Sequence, residues 1–224
     1  KEINDELDVH VSIMADLQGP KIRIGEIKKG KVELKENSEI ILTTKNCEGN
    51  AKKVHINYDK FPCDVEKGER ILLDDGKLEF EVVETNNKDE VKCRVVFGGI
   101  LSPRKGVNLP QTRVSIPSIT DKDKEDLDFA IKNHFNWIAL SFVREAKDIE
   151  GLRKILKSKN CAARIIAKIE KPSAVDNLQD IIDVSDAIMV ARGDLGVELP
   201  IEQLPLIQRR IATACIHSSK PVIV

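Results

Sequence analysis

The sequence predicts an α/β protein: a parallel sheet of single strands alternating with helices, interrupted by a β-rich insert. Three observations carry this. From residue 110 to 224, short branched apolar runs alternate with stretches whose apolar residues recur at helical spacing. From about Glu26 to Leu109 the chain switches to short alternating runs separated by Gly, Asn and Asp clusters, which predicts a small β-barrel. Charged residues follow several of the strands, as they do at the carboxyl-end rim where barrel active sites form. The pattern allows either a (β/α)8 barrel or an open doubly wound sheet. It divides the chain into 1–25, the insert 26–109, and 110–224.

Residues 9–16, VHVSIMAD, read as the first strand, ending at Asp16. The breaker pair Gly19-Pro20 follows, with Lys21 and Arg23 flanking Ile22 in extended alternation. The insert's strands are expected at KVEL, EIILTT, RILL, KLEFEVVET and EVKCRVVF, with turns at Asn46–Asn50, Asp74–Gly76 and Asn86-Asn87. The chain returns through GGILSPRKGVNLP, stiffened by Pro103, Pro110 and Pro117 and carrying Arg104 and Lys105. Thr120, Asp121 and Asp123 open a helix whose buried face is Leu127, Ala130 and Ile131. WIALSFVR is a strand ending in Ser141, Phe142 and Arg144, and Ala146 to Lys157 is a helix. Ile201 to Ser218 reads as a long helix with Pro205 in its first turns, and Pro221 to Val224 as a last strand.

The chain is organised around residues 163–200. Ile165 to Ile169 and Ala187 to Val190 have the length and branching of buried strands, joined by one helical pattern from Pro172 to Ile182. The two strands are therefore parallel neighbours, and their charged ends share one rim. Lys168 and Glu170 are two apart and project from one face. Asp194 follows Gly193, where the backbone is free to turn sharply. Two carboxylates beside one lysine suit a hard divalent cation and a charged substrate. A solvated loop start is the ordinary fate of one such end; charge at two consecutive strands favours a site.

Composition narrows the function classes. The 224 residues are 41% hydrophobic and 33% charged, a globular balance, and the net charge of −1 offers no broad basic field for nucleic acid or anionic membrane. Aromatics at 4% leave little for base stacking. Five scattered cysteines form no C-x-x-C pair and four separated histidines show no metal spacing, which argues for a reducing cytoplasm and against a zinc site. No apolar run approaches the length of a membrane span. Lys1 is no initiator methionine and the last strand lacks a partner, so a piece of a longer protein is expected.

IIAKIEKPSAV followed by DAIMVARGDLGVELP resembles the catalytic core of pyruvate kinases, and the resemblance extends along the whole chain. It implies a partial (β/α)8 TIM barrel, five of eight strands, with an inserted small all-β barrel as a cap. It implies phosphoryl transfer from phosphoenolpyruvate to ADP by a cytoplasmic, homotetrameric parent enzyme. Glu170 and Asp194 match the ligands of Mg²⁺ or Mn²⁺, and Lys168 the group that stabilises the transferring phosphoryl. The Gly193 and Asp194 amides match those that bind the substrate carboxylate, with Ser141 on the same rim as a weaker substrate contact. Asp16 and Arg23 match the Asp-x-x-Gly-Pro-x-Ile-Arg segment facing the phosphate, and Lys105 a lysine that reaches it when the cap closes. Lys21 stands where K⁺-requiring members carry glutamate, and Leu17, Gln18 and Ile24 where they carry threonine, lysine and threonine. That combination resembles the K⁺-independent branch, with Asp16 left as a residual monovalent-cation group. Two other readings compete: a metal-dependent lyase or aldolase on a related barrel, which would lack the insert, and a non-enzymatic fragment. With five strands the isolated chain is expected to be inactive.

Overall fold

The computed structural model describes residues 2–224. In chain order the elements are α1 (Glu2–Leu7), β1 (Met14–Asp16), β2 (Val32–Leu34), β3 (Glu39–Thr43), β4 (Lys53–His55), α2 (Phe61–Asp64), β5 (Arg70–Leu73), β6 (Leu78–Thr85), β7 (Glu90–Phe97), β8 (Gly99–Leu101) and β9 (Val107–Asn108). There follow α3 (Asp121–Lys132), β10 (Trp137–Leu140), α4 (Ala146–Ser158), β11 (Arg164–Ile169), α5 (Pro172–Asp176), α6 (Leu178–Val184), β12 (Ala187–Val190), α7 (Arg192–Glu198), α8 (Leu204–His217) and β13 (Val222–Ile223). Two compact units result. One comprises the chain up to Pro20 with Pro117–Leu195 and Glu202–Val224; the other is Lys21–Ile116 with Gly196–Ile201.

The first unit is a five-stranded parallel sheet in the order β1-β10-β11-β12-β13. This is the parallel sheet that strand–helix alternation predicts, and its five strands agree with the partial barrel that the resemblance implies. Its apolar residues are buried on both faces, as parallel sheets require: Ile138, Leu140, Ile165, Ala167, Ile169 and Ile188 are fully covered. Ala139, Ile166 and Ala187 cluster on the opposite face with Trp137 and Met189. Helix α3 starts as expected. Thr120 Oγ1 accepts the Asp123 N–H at 3.1 Å and Asp123 Oδ2 accepts the Thr120 N–H at 2.8 Å, a capping box. The same buried Asp123 takes the Gly19 N–H at 3.0 Å, which anchors the loop leaving β1.

Several details differ from expectation. The first strand shrinks from residues 9–16 to Met14–Asp16, because side chains claim the backbone before it. Asn4 bonds both backbone groups of Val11, at 2.9 and 3.3 Å, and Asn136 Oδ1 accepts the Ile13 N–H at 2.9 Å. The helix after β11 is two helices. Asn177, at φ −96° and ψ 22°, breaks it and donates its amide to the Ser173 and Arg144 carbonyls, each at 3.0 Å. The long helix from Ile201 begins as a 3₁₀ turn, Ile201–Gln203, before α8.

The second unit holds a six-stranded sheet, β4-β3-β7-β6-β5-β9, and the pair β2-β8. All neighbours are antiparallel except β3 and β4. Strands β4, β8 and β9, two or three residues each, were too short to read from alternation. The sheet's two edges meet through the segment after Lys21. Arg23 bridges Gly106 beside β9, while Ile24 bridges Ile56 beside β4. Backbone bonds from Ile24 to Lys105 (3.0 Å), Val107 to Ile22 (2.9 Å) and Gly25 to His55 (2.9 Å) complete the closure. Closure removes exposed ladder edges and encloses one core in which Ile24, Ile40, Leu42, Phe61, Phe80 and Val95 are buried. It also explains why the compact unit starts at Lys21 rather than at Glu26.

Candidate active site

The parallel register assembles the site. Asp16 lies opposite Ala139, Ala139 opposite Ile166, and Lys168 opposite Met189. Alternation then puts Asp16, Ser141, Lys168 and Glu170 on the face that carries Ala139 and Ile166, at the carboxyl ends of β1, β10 and β11. The small alanines leave the lysine room. Lys168 Nζ donates to Ser141 Oγ at 2.9 Å and Asp16 Oδ1 at 3.0 Å, and lies 3.1 Å from Glu170 Oε1. Its side chain is 12% exposed and that of Glu170 only 2%, whereas Asp16 is half exposed. Burial draws the Lys168 pKa down, but Glu170 and Asp16 outweigh it and hold it above the ordinary lysine value. The group is therefore a fixed cation at neutral pH.

Ser141 passes its own hydrogen to the Leu17 carbonyl at 2.7 Å, so toward Lys168 it is an acceptor. Its hydroxyl orients the lysine. Phe142, at φ 54°, donates its N–H to Glu170 Oε2 at 2.8 Å. Glu170 thus has one oxygen held by Lys168 and the other by a backbone amide. Burial pushes its pKa up; Lys168 and the Phe142 amide pull it down, and the Asp194 carboxylate pushes it up again, leaving it raised. A buried carboxylate strained by a second one is the environment that a divalent cation relieves. Among the described residues no three His, Cys, Asp or Glu side chains gather as a ligand set. Glu170 and Asp194 are nonetheless two hard oxygen donors whose charges act on one another, a donor set of the kind that hard divalent ions such as Mg²⁺ or Mn²⁺ take. The residues fit such an ion.

Gly193 departs from the expected sharp turn. It lies with the exposed Asp194 in the first turn of α7, its φ is not left-handed, and an added Cβ would meet nothing within 4 Å. Backbone strain does not account for a glycine there.

Arg23 and Lys105 belong to the other unit. The Arg23–Gly106 bridge sets them on adjacent backbone segments although they are far apart in sequence. Arg23 Nη1 donates to the Arg104 carbonyl at 3.0 Å, and Lys105 Nζ lies 2.8 Å from Asp74 Oδ1. Lys105 and, after burial's opposing effect, Lys77 hold the Asp74 carboxyl below the usual range. Lys21 is exposed, Gln18 is exposed, and Leu17 and Ile24 are buried apolar side chains. Two contributors escaped sequence reading, the Phe142 amide and the Leu17 carbonyl. Both are backbone groups, and no residue type signals them.

The family model described as the pyruvate kinase barrel domain matches residues 1–224. Pyruvate kinases of Staphylococcus aureus strains MRSA252 and USA300 are each 42% identical over 224 residues, all of this chain and 38% of theirs. A crystal structure of a pyruvate kinase from Cryptosporidium parvum superposes with a TM-score of 0.92 at 36% identity, covering 99% of this chain and 47% of that one. The chain thus spans less than half the length of these relatives. Matched along its full length by the family model, with whole-chain relatives well above the identity at which fold and family coincide, the chain belongs to the pyruvate kinase family.

Proposed function

We propose that the protein containing this chain transfers the phosphoryl group of phosphoenolpyruvate to ADP, giving pyruvate and ATP. The observation that carries the reading is the buried Lys168 ammonium, fixed between Asp16, Ser141 and Glu170 at the strand ends. Phosphoryl transfer asks a protein mainly for positioning and fixed charge. Lys168 supplies that charge to the oxygens of the transferring group, and Ser141 and Asp16 hold its direction. Glu170 and Asp194 would hold Mg²⁺ or Mn²⁺, which when bound neutralises charge on the substrate and on the enolate left behind. The first-turn amides of Gly193 and Asp194 have no partner within their own helix and are offered to the substrate carboxylate.

In this reading Arg23 and Lys105, which the Arg23–Gly106 bridge holds near one another, are the further cations proposed for the phosphate. Lys105 pairs with Asp74 at 2.8 Å, with side chains 35% and 16% exposed, and must give up that partner to reach the phosphate. K⁺ is not required. The Asp16 carboxylate is already met by Lys168, at 3.0 and 3.2 Å, and the buried Leu17 and Ile24 have no hydroxyl to offer a cation. We assign the parent enzyme to glycolysis, to the cytoplasm and to a homotetramer. No helix among the described residues is long and apolar enough to cross a membrane.

The test is a coupled assay of ATP formation by the full-length protein. ATP production that requires both phosphoenolpyruvate and a divalent cation is expected. A protein that binds the cation but forms no ATP from phosphoenolpyruvate overturns the reading. Calorimetric titration of the 224-residue chain with Mg²⁺ and phosphoenolpyruvate then separates the site from the scaffold.

A further inference from the structure

Phe142 is an aromatic residue with a left-handed backbone, φ 54°, a conformation uncommon outside glycine and held only where surroundings impose it. Two neighbours impose it. A Cβ on Gly19 would come within 2.7 Å of Phe142 Cδ2 and 3.2 Å of Ser141 Cβ, so the Phe142 ring lies flush against the one residue type that admits it. The Lys171 ammonium stands 5.8 Å from the ring centroid, within cation–π range. The consequence is directional: the strained backbone points the Phe142 N–H at Glu170 Oε2, 2.8 Å away. Lys168 takes Oε1 at 3.1 Å, so the two contacts together set the plane of a carboxylate that is almost wholly buried. Each oxygen keeps a further lone pair beyond these contacts.

We infer that Phe142 is a positioning residue for the divalent-cation site: its ring, packed on Gly19 and met by Lys171, holds the left-handed backbone that aims Glu170. The inference rests on the proposed reading of Glu170 as a cation ligand. Neither Phe142 nor Gly19 touches the cation or the substrate through its side chain. Both act through the orientation of Glu170, as outer-shell partners of metal ligands generally do.

The experiment is Mn²⁺ titration of the full-length enzyme by electron paramagnetic resonance, with thermal melting recorded on each variant. Phe142→Gly keeps the N–H and tolerates the positive φ but removes the lock. Gly19→Ala leaves Phe142 in place and brings a methyl against its ring, at a position whose own φ of 68° also disfavours a side chain. Both are expected to weaken Mn²⁺ binding about 10- to 100-fold, the range typical of outer-shell changes, with cooperative melting retained. Phe142→Tyr keeps the ring and is expected to bind as the parent does. If Phe142→Gly and Gly19→Ala bind Mn²⁺ like the parent, the inference is wrong while the proposed function stands. A loss of affinity in both variants that merely follows a loss of cooperative melting also counts against it. If Glu170→Gln leaves Mn²⁺ binding unchanged, the proposed ligand role fails and this inference fails with it.

Discussion

The parallel-sheet unit buries both partners of an ion pair, whereas the insert's ion pairs among the described residues each keep at least one partner well exposed. Lys168 and Glu170 are 12% and 2% exposed, while the insert's pairs Lys53–Glu90, Lys92–Glu39 and Arg94–Glu81 leave every partner at least 35% exposed. The insert's interior is instead a continuous apolar cluster enclosed by a closed sheet. A buried lysine and carboxylate cost desolvation that their mutual attraction only partly offsets, so a stable fold gains little from placing them there. The difference teaches that the sheet unit gives up stability at its strand ends to hold fixed charges, and that the insert's charges serve mainly its surface.

Lys168→Met in the full-length enzyme attacks that contrast most directly. Turnover is expected to fall about 10²- to 10³-fold or more, as when one fixed electrostatic contact is lost. Cation binding, read by Mn²⁺ titration, should survive. A variant within about tenfold of the parent would show that the buried charge is not the phosphoryl-stabilising group.

Phe80→Ala probes the other side. Phe80 is fully buried in the insert's core, and its truncation is expected to destabilise that unit by about 3–5 kcal/mol in urea unfolding. Lys92→Ala, on the same sheet but exposed, should change stability by no more than about 1 kcal/mol. Similar losses for the two would erase the distinction between an apolar core and a solvated charge lattice.

Tyr58→Phe is a milder cut. Tyr58 donates its hydroxyl hydrogen to Asp64 and accepts the Ser115 N–H at 2.9 Å, and Ser115 Oγ donates to Asp64 Oδ1 at 2.8 Å. Burial first, and then the Asp64 carboxylate, push the phenol pKa up, so the proton stays on the oxygen. Removing it should cost about 1–3 kcal/mol, the worth of a hydrogen bond to a charged group, and speed hydrogen exchange around Ser115. Unchanged exchange there would mean that the knot does not tie the return segment to the insert.

The smallest effect is expected at Lys21. Activity of the full-length enzyme in tetramethylammonium buffer should be nearly indifferent to K⁺, and Lys21→Glu should make it respond. Strong K⁺ activation of the parent would sink the proposal that no monovalent cation is required.

Much of the architecture was legible because it rests on periodicity. Branched runs with helical spacing between them dictate a parallel sheet, and the capping box at Thr120 announces its helix. Where local side chains competed with the ladder, as Asn4 does for Val11, or broke a helix, as Asn177 does, the apolar pattern carried no warning. Lys168 and Glu170 were readable as a pair since alternation alone puts them on one face.

What the sequence determined by itself is therefore the class of fold, the β-rich insert and the charged strand ends, since each follows from spacing along one segment. Tertiary structure decided what depends on segments meeting. It enrolled Arg23 in the insert, because residues 22–25 close the insert's sheet. It gave Ser141 an acceptor's role toward Lys168, because its only hydrogen goes to the Leu17 carbonyl. It placed the Phe142 amide on Glu170, because the ring packs on a glycine remote in sequence. Backbone donors and long-range closures leave no mark in residue type, so only the folded chain reveals them.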